Sequence, residues 1–314
     1  MIYRTLGRTG LKVSLLSYGT GGPRHFGQRA GMELSDQKAF VRRCLDLGIN
    51  LFDTARGYAQ SETILGQCLD GVPRDSYHLI TKWNMDEEVA DAKREAHLVD
   101  AVENSLRLLK TDHIDVFMFH GLTEEKHDEA VERYCPILKK FRDEGKIGSI
   151  GLSTVFVTDA AQQGAKAALT RNPDLWDVVM VKYGILNQYA AKEILPLAQK
   201  HNVGVVNMAA ARIRLPDPEL LEQTMMEWKE KGYVSHESLP EKNPLGWLVR
   251  DDVESVVAAG YKFAADHPAI ATVLTGTANL DHLEQNARAL EQPYLSSADS
   301  LRLVELFGEI VEYA

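Results

Sequence analysis

The chain alternates short apolar runs with longer segments in which apolar residues recur at intervals of three and four positions. The short runs are typical of buried strands, and the longer segments of helices that bury one face. Eight runs are predicted as strands, at residues 14–18, 49–52, 78–81, 114–119, 149–152, 178–181, 203–208 and 271–274. Strands that alternate with helices in this way indicate parallel βα units.

Eight such units predict a (β/α)₈ TIM barrel, and an open doubly wound sheet is the alternative. The first residues, 3–13, turn through two glycines and predict an N-terminal β-hairpin. Residues 301–313 predict an extra C-terminal helix, and the long segment 212–250 interrupts the repeat after the seventh strand. No shift in composition divides the chain, so residues 1–314 are predicted to form a single barrel domain.

Composition narrows the possible functions. The 314 residues are 45% hydrophobic and 25% charged, and the formal net charge of -10 argues against nucleic acid and anionic membranes as partners. Cys44, Cys68 and Cys135 are widely spaced in apolar patterns, so we expect reduced packing residues and no metal site. The first residues lack the basic and apolar regions of a signal peptide, and the expected compartment is the cytoplasm.

Candidate chemistry lies at the ends of three consecutive predicted strands. Asp53 directly follows the second strand, with Tyr58 five residues further on, while Lys82 and His120 end the third and fourth strands. The carboxyl ends of barrel strands meet at one mouth, where active sites of this architecture form. The four side chains are therefore expected to converge, although each alone has an ordinary structural explanation.

These residue types suit proton transfer to and from a substrate oxygen. A free phenol has a pKa near ~10, and an adjacent ammonium is expected to lower it. In this hypothesis Lys82 supplies the ammonium, Asp53 keeps it charged and in place, and His120 orients the substrate oxygen toward Tyr58 as general acid and base.

The motifs around these residues resemble those of the aldo-keto reductase family. The run GINLFDTARGYAQSE contains the family's F-D-T-A, Tyr and S-E elements, and LITKWN and VFMFHG match its Lys and His segments. The resemblance extends from LGRTGLKVSLLSYGTGG to VLTGTANLDHLEQN, almost the whole chain. It implies an NAD(P)-dependent oxidoreductase that interconverts a small-molecule carbonyl compound (aldehyde, ketone or sugar) and its alcohol.

The resemblance also implies cofactor-binding residues. It places Gly19, Thr20 and Asp53 near the cofactor, assigns the carboxamide to Ser153, and stacks Tyr183 on the nicotinamide ring. Thr154, which stands where the family usually carries Asn, is also expected at the cofactor. The phosphates and adenosine are expected along the segment that contains Gly276, Thr277, His282, Gln285 and Asn286. The family prior favours NADP(H), with NAD(H) as the alternative.

This chain departs from the family's pattern in the cofactor segments. Met180 stands where a Gln is usual, and Ala209 begins a stretch that is usually Ser-Pro-Leu. Gly276, Ala278 and His282 occupy positions where relatives often carry Lys or Arg for a 2'-phosphate. Weak discrimination between NADPH and NADH is therefore expected.

Two other functions remain open from the sequence. A barrel Lys such as Lys82 can form a Schiff base in an aldolase or isomerase when it is desolvated. A non-catalytic subunit that binds a nucleotide as a regulatory sensor is the second alternative, because a fold does not define a function.

Overall fold

The computed structural model describes residues 1–22, 25–86, 88–155 and 157–312. Eight parallel strands form a closed barrel in the order β10-β3-β4-β5-β6-β7-β8-β9, and a two-stranded antiparallel hairpin, β1 and β2, precedes them. The strands are β1 (Tyr3–Thr5), β2 (Lys12–Ser14), β3 (Leu16–Gly19), β4 (Leu51–Asp53), β5 (His78–Trp83), β6 (Ile114–Phe119), β7 (Ile147–Ser153), β8 (Val178–Lys182), β9 (Gly204–Met208) and β10 (Ile270–Thr275). The predicted (β/α)₈ barrel is confirmed, and the open sheet is excluded.

The barrel carries a ring of helices. These are α1 (Leu34–Asp46), α2 (Ser61–Cys68), α3 (Arg94–Leu109), α4 (His127–Glu129), α5 (Cys135–Asp143), α6 (Gln163–Arg171), α7 (Ile194–Lys200), α8 (Pro218–Glu230), α9 (Val256–Asp266), α10 (Leu280–Ala289) and α11 (Ser297–Phe307). A π-helical turn over Ala130–Tyr134 joins α4 to α5. Of these helices, α8 lies within the long segment 212–250 and α11 follows the last βα unit.

The extra C-terminal helix is confirmed with different bounds. It begins at Ser297, four residues before the predicted start, because the Ser296 hydroxyl caps it by accepting a hydrogen bond from Asp299 N at 3.1 Å. It ends at Phe307 rather than at Tyr313, and Tyr313 itself lies outside the described residues.

Alternate residues of the barrel strands face opposite sides, which defines two apolar layers. Leu51, Ile80, Met118 and Val178 belong to the cluster inside the barrel. Their chain neighbours pack in the larger cluster between the strands and the helices. The residue two positions beyond an interior residue points to the same side, so this alternation shows which side chains reach the barrel mouth.

The hairpin closes the opposite end of the barrel. Leu6, in the turn between its strands, belongs to the interior cluster, and a Cβ on the adjacent Gly7 would lie 2.2 Å from Gly204 N. The predicted strand at residues 14–18 began too early: Ser14 pairs with Tyr3 in the hairpin, and the first barrel strand begins at Leu16. Among the helices of the described ranges, none has the length and apolar character needed to cross a membrane.

Candidate active site

The structure brings Asp53, Lys82 and His120 to one mouth of the barrel. Asp53 and Lys82 lie two positions after the interior residues Leu51 and Ile80, and His120 follows Met118 in the same way. The strands β4, β5 and β6 that carry these residues are neighbours in the barrel. Barrel closure therefore places three polar side chains above a packed apolar interior.

Lys82 and Asp53 form a buried ion pair. Lys82 Nζ donates to Asp53 Oδ1 at 2.5 Å and to the carbonyl oxygen of Thr54 at 2.8 Å. Burial alone lowers the pKa of Lys82, but the Asp53 carboxylate and Tyr58 outweigh it and hold this pKa above its usual value. The ammonium therefore stays charged, which is the condition that the sequence hypothesis required of Lys82.

The loop between β4 and α2 places Tyr58 over this pair. The Lys82 ammonium lies 5.0 Å from the centre of the Tyr58 ring, and Tyr58 Oη lies 3.4 Å from His120 Nε2. Gly21 lies against the ring, since a Cβ at that position would come within 2.6 Å of Tyr58 Cζ. All four candidate side chains thus meet within one cluster.

The expected net lowering of the Tyr58 pKa is wrong for the isolated protein. Burial raises the pKa of the phenol, while Lys82 lowers it, Asp53 raises it and Arg212 lowers it. The balance lies above the ordinary value because removing a phenolate from water costs more than the ammonium returns. Tyr58 is therefore a protonated donor at neutral pH.

His120 is held neutral by its surroundings. Burial, reinforced by the Lys82 charge, lowers the pKa of the imidazole to about 3. A neutral imidazole has one N–H donor and one acceptor nitrogen. His120 can therefore hydrogen-bond a neutral substrate oxygen beside Tyr58 without changing charge at physiological pH.

A surface suited to a dinucleotide lies on the β3 and β10 side of this mouth. Gly19 pairs with Asp53, and a Cβ at Gly276 would lie 3.7 Å from Gly19 O, so the two strand ends are adjacent. Thr20 N donates to Asp53 O at 2.8 Å, and the buried Thr20 hydroxyl has no hydrogen-bond partner among the described residues. Tyr18 Oη donates to the carbonyl oxygen of Thr277 at 3.1 Å. The glycines leave room for close approach, and the Thr20 hydroxyl offers a bond to a bound hydroxyl or amide.

Helix α10 begins next to this surface. His282 lies in its first turn, where its N–H donates to the Asn279 side chain at 3.0 Å. Gln285 is exposed on the same helix, and Asn286 is buried with its Nδ2 donating to Thr275 Oγ1 at 3.0 Å. A helix N-terminus attracts anionic groups, so this element fits the phosphates of a dinucleotide, whereas Asn286 holds the helix to β10.

The two predicted cofactor residues at the end of β7, Ser153 and Thr154, differ in their surroundings. Ser153 ends β7 at the barrel mouth and its Oγ accepts from Gly121 N at 2.9 Å. The Thr154 hydroxyl donates to Gln162 Oε1 at 2.8 Å, and Gln162 in turn bonds both backbone groups of Lys182. Thr154 is therefore engaged in joining β7 to β8, while the Ser153 hydroxyl retains its own hydrogen to donate.

Tyr183 does not reach the barrel mouth, contrary to the role that the family resemblance implied. It continues the outward-facing series of Val179 and Val181, and its ring stacks on Phe263 of α9 with centroids 5.5 Å apart. His267 covers it edge-on at 5.4 Å. The ring lies between the barrel wall and α9. In this structure Tyr183 therefore packs in the core and does not have the stacking role that the resemblance implied.

Sequence reasoning missed Lys182, which the alternation of β8 sends to the interior side with Val178 and Met180. It is 4% exposed. Burial lowers the pKa of Lys182 to about 7, and Arg214 and Arg212 contribute in the same direction. The alternation along the predicted strand 178–181 already indicates that residue 182 faces the interior, but the predicted strand ended one residue before Lys182.

Comparisons with known proteins agree with this fold. A sequence model described as the Aldo/keto reductase family matches residues 16–306. The chain is 27% identical to L-galactose dehydrogenase of Arabidopsis thaliana, over 92% of this chain and 88% of that protein. It is 28% identical to D-threo-aldose 1-dehydrogenase of a Pseudomonas species, over 90% and 92% of the two chains. The holo form of an aldo-keto reductase from Bacillus halodurans superposes with a TM-score of 0.72 at 26% identity, covering 99% of this chain and 98% of that one.

The fold and the polar mouth define a barrel oxidoreductase that acts on small-molecule carbonyl compounds with a nicotinamide cofactor. The chain belongs to the aldo/keto reductase family, as its sequence motifs had predicted.

Proposed function

We propose that this protein reduces the carbonyl group of an aldehyde, ketone or sugar to an alcohol, with Tyr58 as the proton donor. The observation that carries the proposal is the contact between the protonated Tyr58 hydroxyl and the neutral His120 ring, 3.4 Å apart above a charged Lys82. Two hydrogen-bonding groups of this kind can hold one carbonyl oxygen between them.

Each residue has a separate task in this proposal. His120 Nε2 hydrogen-bonds the carbonyl oxygen and orients it toward Tyr58. Gly19, Thr20, Ser153 and the start of α10 would hold a nicotinamide dinucleotide, which when bound would supply the hydride for the carbonyl carbon. Tyr58 Oη then gives its proton to the oxygen, and the Lys82 ammonium, fixed by Asp53, stabilises the phenolate that remains.

The Schiff-base alternative finds no support in this site. A nucleophilic Lys must lose its proton, and the pKa of Lys82 is raised by Asp53. The regulatory-subunit alternative keeps the same fold but needs no proton donor, and the convergence of Asp53, Tyr58, Lys82 and His120 favours an enzyme. Borohydride trapping with a carbonyl substrate distinguishes the Schiff-base enzyme from the proposed reductase. Turnover of a carbonyl substrate distinguishes the reductase from a regulatory subunit.

For the cofactor we propose NADP(H), with weak discrimination against NAD(H). His282 is the basic side chain in the first turn of α10, which otherwise carries the acidic Asp281 and neither Lys nor Arg. Charge-assisted contacts to a 2'-phosphate are about twice as strong as neutral ones, so their scarcity weakens the preference.

Sugars are the first substrates to test, because two relatives are named for L-galactose and D-threo-aldose. The experiment measures NADPH and NADH oxidation with panels of sugars, aldehydes and ketones, and cofactor reduction with the corresponding alcohols and sugars. Turnover that disappears in Tyr58→Phe supports the proposal. Tight binding of the dinucleotide without turnover of any carbonyl class would favour the regulatory subunit instead.

A further inference from the structure

The loop that carries Tyr58 is fastened by one side chain from another loop. Gln28 lies in a short 3₁₀ turn between β3 and α1, far from Tyr58 in sequence. Its Nε2 donates to Ser61 Oγ at 2.9 Å and to the carbonyl oxygen of Tyr58 at 3.3 Å. Its Oε1 accepts from Gln60 N at 3.0 Å. One carboxamide therefore bonds Tyr58 and Gln60 in the loop and Ser61 at the start of α2.

The hydrogen bonds of Gln28 reach the residues before and after Ala59, whose backbone conformation is unfavourable. Ala59, between Tyr58 and Gln60, has φ of 53°, in the left-handed region that non-glycine residues seldom adopt. Such a turn persists only where its surroundings hold it, and Gln28 bonds the residue before Ala59 and the residue after it. Gln28 also satisfies the N–H of Gln60, which precedes α2 and has no partner within that helix.

The position of the Tyr58 hydroxyl depends on this turn. The ring is confined on one side by Gly21, where a Cβ would lie 2.6 Å from the ring, and on another by Lys82. The hydroxyl stands at the far end of the ring from the backbone, so a small rotation of the loop moves it away from His120. A misplacement of about 1 Å in a reacting group costs roughly 10²-fold in rate.

We propose that Gln28 is a positioning residue, which fixes the Tyr58 loop so that the phenol faces His120 and the substrate oxygen. This inference rests on the proposed role of Tyr58 as proton donor. Gln28 acts through the loop and makes no contact with the reacting groups, so its loss should alter the chemical step and leave dinucleotide binding intact.

Two substitutions of Gln28 test its hydrogen bonds to different extents. Gln28→Met keeps the length of the side chain and removes all three hydrogen bonds. Gln28→Glu keeps the acceptor for Gln60 N but loses the donors to the Tyr58 carbonyl and to Ser61 Oγ, although the new carboxylate oxygen can accept a hydrogen bond from the Ser61 hydroxyl. We expect kcat to fall about 10- to 100-fold in Gln28→Met and by a smaller factor in Gln28→Glu.

The matched control is Gln223→Met on α8. Gln223 is exposed, and its carboxamide bonds Glu227 at 2.8 Å on the same helix surface. We expect its kcat to stay within about twofold of wild type, as expected for a surface substitution. The dissociation constant of NADPH, measured by fluorescence, should stay within about twofold in all three variants.

Amide hydrogen exchange of Gln60 and Ser61 tests the fastening without any substrate. We expect faster exchange at these two amides in Gln28→Met, with the barrel strands as protected as in wild type. Faster exchange together with an unchanged kcat would overturn the positioning role, as would a loss of NADPH affinity as large as the loss of kcat. Failure of the proposed function would appear differently, as unchanged turnover in Tyr58→Phe.

Discussion

Lys82 Nζ lies 2.5 Å from Asp53 Oδ1, and the two buried side chains project from adjacent strands of the barrel into the same mouth. Removing either partner leaves the other charge buried without compensation, which typically costs about 3–5 kcal/mol. The pair therefore supports both the fold and the charge beside Tyr58.

This relationship predicts strong coupling between Asp53 and Lys82. Asp53→Asn and Lys82→Met should each lower kcat/KM and the free energy of unfolding, and the double variant should lose much less than the sum of both losses. Steady-state kinetics and urea unfolding of the four proteins measure the coupling. Additive losses would show that Lys82 acts independently of Asp53.

The pH dependence of the reaction should show no ionisation of His120. Because the pKa of His120 is lowered to about 3, its charge does not change between about pH 5 and pH 8. We expect the profile of kcat/KM for carbonyl reduction to show no His120 ionisation in this interval. An acidic limb there that vanishes in His120→Asn would contradict the neutral ring.

Lys182 should make stability depend on pH. Its pKa in the folded protein is lowered to about 7, so between about pH 7 and pH 10 the unfolded chain binds more protons than the folded one. The contribution of Lys182 to the free energy of unfolding therefore rises as the pH increases from about 7 to about 10. Lys182→Met should stabilise the protein relative to wild type more at about pH 6 than at about pH 9, as measured by urea unfolding. An equal difference in the free energy of unfolding between variant and wild type at both pH values would contradict the lowered pKa of Lys182.

The sequence predicted the fold well because the strand and helix periodicities repeat eight times around one closed barrel. It also predicted that Asp53, Tyr58, Lys82 and His120 converge, since strand ends of a parallel barrel share one mouth. The alternation of β8 continues beyond the predicted end of that strand at residue 181, so Lys182 faces inward and Tyr183 faces outward.

Electrostatic balances were harder to predict from the sequence. The effect of Lys82 on Tyr58 has the expected direction, but burial of the phenol exceeds it, and the extent of burial depends on packing from distant segments such as Gly21. The contacts of Gln28 were also not evident, because they join loops that no periodic pattern relates.

Cofactor preference should depend on His282 if its imidazole contacts a 2'-phosphate. His282 is the basic side chain in the first turn of α10, so His282→Ala should reduce the affinity for NADPH relative to NADH. Dissociation constants of both cofactors in wild type and His282→Ala measure the contribution. A strong NADPH preference that survives His282→Ala would assign the contact to another basic residue.

The most direct test of the proposed proton donor is single-turnover oxidation of bound NADPH by a carbonyl substrate in wild type and Tyr58→Phe. The substitution removes the hydroxyl that faces His120 and leaves the ring against Gly21. We predict a rate lower by about 10²- to 10⁴-fold, with the dissociation constant of NADPH nearly unchanged. A Tyr58→Phe enzyme that keeps a tenth or more of the wild-type rate would contradict the assignment of Tyr58 as the proton donor.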